Sequence, residues 1–164
     1  MLYPDLILNH ITELTPEFLV QYGIKGIVFD LDETLAPRHM DGPDETILSH
    51  IELLKQSGIA MALVSNSPRD RVSDFNRKMQ ISIYPNAQKP RVKVLKRAVK
   101  MMGFAPNEIA MVGDQIFTDV LAGNRLQLLT VMVSPLEDRK TWFFRLKRKL
   151  ERIILKHFEG NDQK

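Results

Sequence analysis

The chain contains no cysteine. That excludes disulfides, thiolate zinc sites, iron–sulfur clusters and a cysteine nucleophile, and it accords with a reducing compartment. No stretch approaches the roughly eighteen consecutive apolar residues of a membrane-spanning helix. The N-terminus, Met1 to His10, lacks a basic leader region, and Asp5 interrupts its short apolar run. A signal peptide is therefore not expected, and the cytosol is the expected location. Internal repeats and low-complexity segments are also missing. Long loops are scarce: the longest irregular stretch runs from about Leu35 to Glu45 and is rich in Pro, Gly and Asp.

What is present suits one globular domain of 164 residues, 44% hydrophobic and 26% charged. The net charge of +3 is unevenly spread. Residues 1–138 carry 14 basic and 17 acidic side chains, whereas residues 139–164 carry 9 basic and 3 acidic ones. A slightly acidic body, 1–138, is thus expected to precede a basic tail, 139–164.

Apolar runs alternate with amphipathic segments. Thr15-Pro16 predicts a capped helix to about Tyr22, stopped at Gly23. Gly26 to Asp30 reads as a buried strand. Thr46 to Lys55 reads as a helix with Ile47, Ile51 and Leu54 on one face. Strands follow at Ile59–Val64, Ile81–Tyr84, Ile109–Val112 and Leu128–Val133. Helices are expected from Ser67-Pro68 to Met79, from Arg91 to Met102, and around Asp119–Gly123. Continuous apolar strands separated by helices predict a three-layer, Rossmann-like α/β fold with a mostly parallel five-stranded sheet.

Polar residues gather where four of these strands end: Asp30-Leu-Asp32-Glu33-Thr34, Ser65-Asn66-Ser67, Pro85 to Pro90 with Lys89, and Gly113-Asp114 with Asp119 beyond. Ligands of open α/β sheets bind outside the carboxyl ends of the strands, so the four clusters should share one crevice. Asp30, Asp32, Asp114 and Asp119 would bring up to four carboxylates together, which calls for a neutralising cation. Hard oxygen ligands suit Mg²⁺. Lys89, Ser65 and Asn66 add the charge and donors that bind phosphate. One carboxylate could then attack phosphorus while its neighbour exchanges a proton with the leaving group.

Asp30-x-Asp32-x-Thr34, Ser65, Lys89 and Gly113-Asp114-x-x-x-x-Asp119 resemble, in order, the four motifs of haloacid dehalogenase (HAD) superfamily phosphatases. The resemblance implies Asp30 as the nucleophile that becomes an aspartyl-phosphate. It implies Asp32 as the group that protonates the leaving oxygen and then activates water. Mg²⁺ would be held by Asp30, the main-chain carbonyl of Asp32, and Asp114, with support from Asp119. Ser65, with Asn66 nearby, and Lys89 would bind phosphate oxygens, Lys89 also balancing the nucleophile's charge. Thr34 would brace the turn after the first strand, and Gly113 of the fourth motif would be a supporting residue.

The wording Gly23-Ile-Lys-Gly-Ile-Val-Phe-Asp-Leu-Asp32 and Val112-Gly-Asp-Gln-Ile-Phe-Thr-Asp119 is similar to YqeG-like phosphatases of HAD subfamily IIIA. These are related to the phosphatidylglycerophosphate phosphatases of mitochondria and plastids. Glu33 departs from the Asn of many relatives and adds negative charge near the site. The gaps that hold cap domains in many HAD phosphatases are too short here, so a capless site is expected. Such an open site fits a phosphorylated small molecule or a lipid head group, and oligomerisation is another way to roof it.

Asp138 to Phe158 reads as one amphipathic helix, with Phe143, Leu146, Leu150 and Ile153 at helical spacing. Eight basic residues and the single acid Glu151 lie between Arg139 and Lys156. This pattern is expected either to pack on the sheet or to dock residues 139–158 peripherally on an anionic membrane. No nucleic-acid-binding fold is recognisable. Two alternatives stand beside a lipid phosphatase: a phosphatase of a soluble phosphomonoester or nucleotide, and a phosphoacceptor signalling domain, against which Asp32 argues. Several residues also admit ordinary structural roles. Ser67 is expected to cap the helix at Pro68, and His10, His39, His50 and His157 show no metal-ligand spacing.

Overall fold

The computed structural model describes residues 2–137 and, beyond them, Arg152 alone. The tail helix predicted for Asp138 to Phe158 lies outside the described residues. In chain order the elements are β1 (Leu6–Leu8), α1 (Pro16–Gln21), β2 (Gly26–Phe29), α2 (Glu45–Gln56), β3 (Ala60–Val64) and α3 (Arg69–Met79). They continue with β4 (Ser82–Tyr84), α4 (Lys93–Met102), β5 (Ile109–Gly113), α5 (Leu121–Arg125) and β6 (Leu129–Val133). Local sequence explains most boundaries. The Thr15 hydroxyl accepts from Phe18 N–H at 3.2 Å at the start of α1, and Gly23 follows its end at φ +67°. Asp44 caps α2 by accepting from Ile47 N–H at 2.8 Å.

All strands pair in parallel in the order β1-β6-β5-β2-β3-β4. The sheet therefore has six strands, where the sequence predicted five. The extra strand is the three-residue edge β1, too short to show a period. Asp5, the residue that breaks the N-terminal apolar run, is what fastens it. Its carboxylate accepts from Thr130 N–H at 2.7 Å and from the Thr130 hydroxyl at 2.8 Å, across the start of β6.

The pleat sorts side chains to two cores. Ile27, Phe29 and Leu63 face one layer with Ile47, Ile51 and Leu54 of α2, and Val72 and Phe75 of α3. Val28, Val64 and Met111 face the other with Leu95, Ala98 and Val99 of α4. Each fully buried large side chain contributes about 1.5–3 kcal/mol. Two helix starts differ from expectation. α4 begins at Lys93, because Arg91 N–H is taken by Gln88 C=O in a preceding turn. Before α5 the chain makes a wide turn, Ile116–Val120, in which both Asp119 and Val120 donate to Gln115 C=O. From β2 the chain winds outward through β3 to β4, then returns to β5 and winds the other way to β6. The winding reverses at the carboxyl ends of β2 and β5, which opens a crevice there.

Candidate active site

β2 delivers Asp30 to this crevice. Its N–H bonds Val112 C=O at 2.9 Å, extending the ladder one residue beyond Phe29. Asp114 leaves the end of β5 directly. Asp119 comes back from the wide turn, and its carboxylate lies against Gly113: a β-carbon there would meet Asp119 side-chain atoms at 2.4 Å. Gly113 is thus glycine because Asp119 occupies its side-chain space. Asp119 Oδ2 also accepts from Gln115 N–H at 3.2 Å.

One carboxylate oxygen from each of Asp30, Asp114 and Asp119 lies within 4.8 Å of the others, and all three residues are buried. Lys89, 4% exposed, points its ammonium at this group, 2.7 Å from Asp30 Oδ1 and 2.8 Å from Asp119 Oδ1. The Asp30 carboxyl is pushed up to about 7 in all: burial is the largest cause, Lys89 opposes it, and Asp119 and Asp114 add to it. Burial opposes the Lys89 ammonium, but the carboxylates of Asp119 and Asp30 outweigh it and hold its pKa above the ordinary lysine value. Three carboxylates facing one ammonium leave two negative charges in excess among the described residues. Oxygen donors with that deficit fit a divalent cation.

Lys89 is held by its main chain. Asn66 Oδ1 accepts from Lys89 N–H at 2.7 Å, and Asn66 Nδ2 donates to Lys89 C=O at 3.1 Å. Asn86 N–H to Ser67 C=O and Ala87 N–H to Ser65 C=O, at 3.0 and 2.9 Å, fasten the rest of the segment. The carboxamide of Asn66 thus braces the Lys89 main chain at both its N–H and its C=O. Ser65 is buried, and its hydroxyl accepts from Ser67 N–H at 3.1 Å. The buried Thr34 hydroxyl has no partner among the described residues.

Asp32 corrects the expectation of four clustered carboxylates. Its carboxylate is not among the three grouped oxygens and has partners of its own. The Ser67 hydroxyl donates to Oδ2 at 2.5 Å, and Arg71 Nη2 donates to Oδ1 at 3.2 Å. Ser67 thus does not cap α3; Pro68 occupies the cap position without a side-chain bond. Arg71 was missed by sequence reasoning. Its position four residues after Ser67, on a helix opening at a strand end, was the available signal. Nothing local distinguishes it from Arg69, Arg77 or Lys78.

Glu33, where the sequence departs from many relatives, has a bracing role in the fold. It is buried, sits at φ +66°, and its carboxylate accepts from Arg38 N–H at 3.2 Å and Glu137 N–H at 2.9 Å. Leu136 N–H reaches Glu33 C=O at 3.2 Å. Its charge braces the loop after β2 against the segment after β6.

This parallel α/β sheet with its crevice of aspartates and lysine is the HAD-type fold, and the protein is a phosphoric monoester hydrolase of that class. Solved structures share the architecture. A haloacid dehalogenase-like hydrolase from Brucella suis 1330 aligns with a TM-score of 0.60 at 10% identity, covering 73% of this chain and 92% of that one. The 3-deoxy-D-manno-octulosonate 8-phosphate phosphatase of Moraxella catarrhalis, in complex with magnesium ion, phosphate ion and KDO, aligns with a TM-score of 0.52 at 21% identity over 61% of this chain and 64% of that one. Residues 1–136 match the family described as mitochondrial PGP phosphatase, and the chain belongs to it. It is 36% identical to the probable phosphatase YqeG of Bacillus subtilis over 154 residues, 93% of this chain and 88% of that protein. It is 32% identical to phosphatidylglycerophosphate phosphatase 1, chloroplastic/mitochondrial, of Arabidopsis thaliana over 87% of this chain, a span of 44% of the plant protein. Among the described residues no helix is long and apolar enough to cross a membrane.

Proposed function

We propose that the protein is a Mg²⁺-dependent phosphatase of phosphatidylglycerophosphate that works through an aspartyl-phosphate. The observation that supports the mechanism is the buried set of Asp30, Asp114 and Asp119 facing Lys89 at the switch point of the sheet. Asp30 is the nucleophile: its oxygen forms a bond to phosphorus as the bond from phosphorus to the alcohol oxygen breaks. Asp32 gives its proton to that departing oxygen, then takes one from the water that releases phosphate. Lys89 neutralises charge on Asp30 and on the phosphoryl oxygens, and Ser65 donates to them. Asp30, Asp114 and Asp119, with the main-chain carbonyl of Asp32, would hold Mg²⁺, which supplies positive charge against the developing phosphoryl charge. Family membership and the Arabidopsis relative support the lipid substrate. So does the basic sequence of residues 139–164, because each cation near an anionic leaflet contributes about 1 kcal/mol.

The test is phosphate release from vesicles containing phosphatidylglycerophosphate, with Mg²⁺, by the native protein and by Asp30→Asn. Release by the native protein alone is expected. No release by either rejects the substrate. A soluble phosphomonoester is the second reading, favoured by 26% identity over 103 residues to the glyceraldehyde 3-phosphate phosphatase of Pyrococcus furiosus. It predicts that turnover survives deletion of residues 139–164.

A further inference from the structure

The geometry points to Arg71 as a positioning residue that holds the Asp32 carboxyl in place for its work on the leaving group. The inference rests on the reading of Asp32 as the acid toward the leaving group. Asp32 is almost fully buried, and both of its carboxylate oxygens are engaged. Its two partners differ in kind. The Ser67 hydroxyl, 2.5 Å from Oδ2, can donate to a carboxylate or, by rotating, accept from a carboxylic acid. Arg71, whose Nη2 lies 3.2 Å from Oδ1, can only donate. Arg71 and Ser67 therefore hold the carboxyl of Asp32 from both of its oxygens and fix the direction of its plane.

Arg71 is itself fixed. Its Nη1 donates to Met40 C=O, and its guanidinium carbon lies 5.6 Å from the centre of the Phe75 ring. One planar group thus joins α3, the loop between β2 and α2, and the carboxyl of Asp32. A lysine offers one charged centre and cannot span both partners with a fixed fork. The step that uses this arrangement is balanced. As Asp30 bonds to phosphorus and the alcohol oxygen leaves, a proton moves from Asp32 to that oxygen and Asp32 is left a carboxylate. The attacking water later returns a proton to it.

The experiment compares kcat/KM, which reports steps through loss of the leaving group, for two soluble substrates with Mg²⁺. A p-nitrophenyl phosphate leaves without needing a proton; glycerol 3-phosphate does need one. Arg71→Ala, Arg71→Lys and Asp32→Asn are measured beside the native protein. We expect Arg71→Ala to lose about tenfold or more on glycerol 3-phosphate and much less on the aryl ester. Arg71→Lys should recover part of the loss, and added guanidinium should recover part of it in Arg71→Ala. Equal losses on both substrates would mark a merely structural residue and overturn the inference. If Arg71→Ala does not fold, the Arg71→Lys ratio decides by the same criterion. Selective loss in Asp32→Asn without selective loss in the Arg71 variants rejects the role of Arg71 alone. No selectivity in Asp32→Asn rejects the acid role beneath it.

Discussion

Asp30 and Asp32 stand two residues apart and are equally buried, at 6% exposure each, yet they occupy opposite electrostatic regions. Asp30 shares Lys89 with Asp119 and lies beside Asp114, so its region is short of positive charge. Asp32 is matched one to one with Arg71 and held by Ser67. Among the described residues the first region gathers more carboxylates than ammonium groups, whereas the second pairs one with one. Burial alone therefore does not decide what a carboxylate does. The count of opposite charges around it does, because a buried charge needs a partner inside the fold or from solution.

The largest expected effect breaks the first region at its centre. Asp30→Asn should lower phosphatase turnover by at least about 10³-fold, the scale at which loss of a nucleophile is felt. The same substitution removes a carboxylate from a group with too many. Without metal, the variant should therefore melt higher than the native protein. A variant that is inactive but melts lower in the absence of metal would contradict the charge argument.

Lys89→Met tests the same imbalance from the other side. It removes the ammonium that pairs with Asp30 and Asp119, and breaking a buried pair in this way costs about 3–5 kcal/mol. Urea denaturation at pH 7 without metal should show that loss, and Mg²⁺ should recover part of it. Arg71→Met, in the balanced region, should respond much less to Mg²⁺. Equal responses of the two variants would erase the distinction between the regions.

The pH dependence follows from Asp30. Its carboxyl moves from the ordinary 3.8 to about 7 on folding, chiefly by burial. A raised pKa means that folding favours the protonated form. Stability is then complete below the unfolded value and is lost as the pH rises toward 7, by a few kcal/mol. The midpoint of metal-free unfolding should fall across that window and level off above it. Mg²⁺ should flatten the curve, since it favours the carboxylate. A metal-free protein whose stability rises from pH 4 to 7 would show that the excess negative charge is compensated elsewhere.

Much of this was legible in the sequence, for identifiable reasons. β2, β3 and β5 are buried on both faces and read as unbroken apolar runs. The polar residues that follow them stand out against those runs, which is why Asp30, Ser65 and Asp114 were found. Helix α2 was visible through the spacing of Ile47, Ile51 and Leu54. The missed features all depend on partners distant in sequence. β1 is fastened by Asp5 to Thr130, Arg71 reaches back to Asp32, and Glu33 grips Glu137. Ser67 looked like a cap because cap residues are recognised locally, whereas its hydroxyl serves Asp32 from 35 positions away. Periodicity and capping are local signals; a single long-range hydrogen bond leaves none.

The smallest expected effect concerns Asn66, where two roles compete. As a brace, its carboxamide makes two bonds to the Lys89 main chain, at 2.7 and 3.1 Å. Asn66→Ala should then cost about 1–2 kcal/mol of stability without metal, because the Lys89 amide and carbonyl lose partners in a part-buried place. The ammonium of Lys89 would be held less firmly, so kcat should fall more than KM rises. As a phosphate donor, by contrast, Asn66 would matter only when substrate is bound. Its removal would then raise KM and leave metal-free stability unchanged. Asn66→Asp separates the two further. It keeps an acceptor for Lys89 N–H but cannot donate to Lys89 C=O, and it adds a carboxylate to a region already short of cations. It should therefore lose more stability than Asn66→Ala without metal, and the gap should narrow when Mg²⁺ is added. A gap unaffected by Mg²⁺ would place Asn66 outside the electrostatic reach of Asp30, and the unbalanced region would end at Lys89.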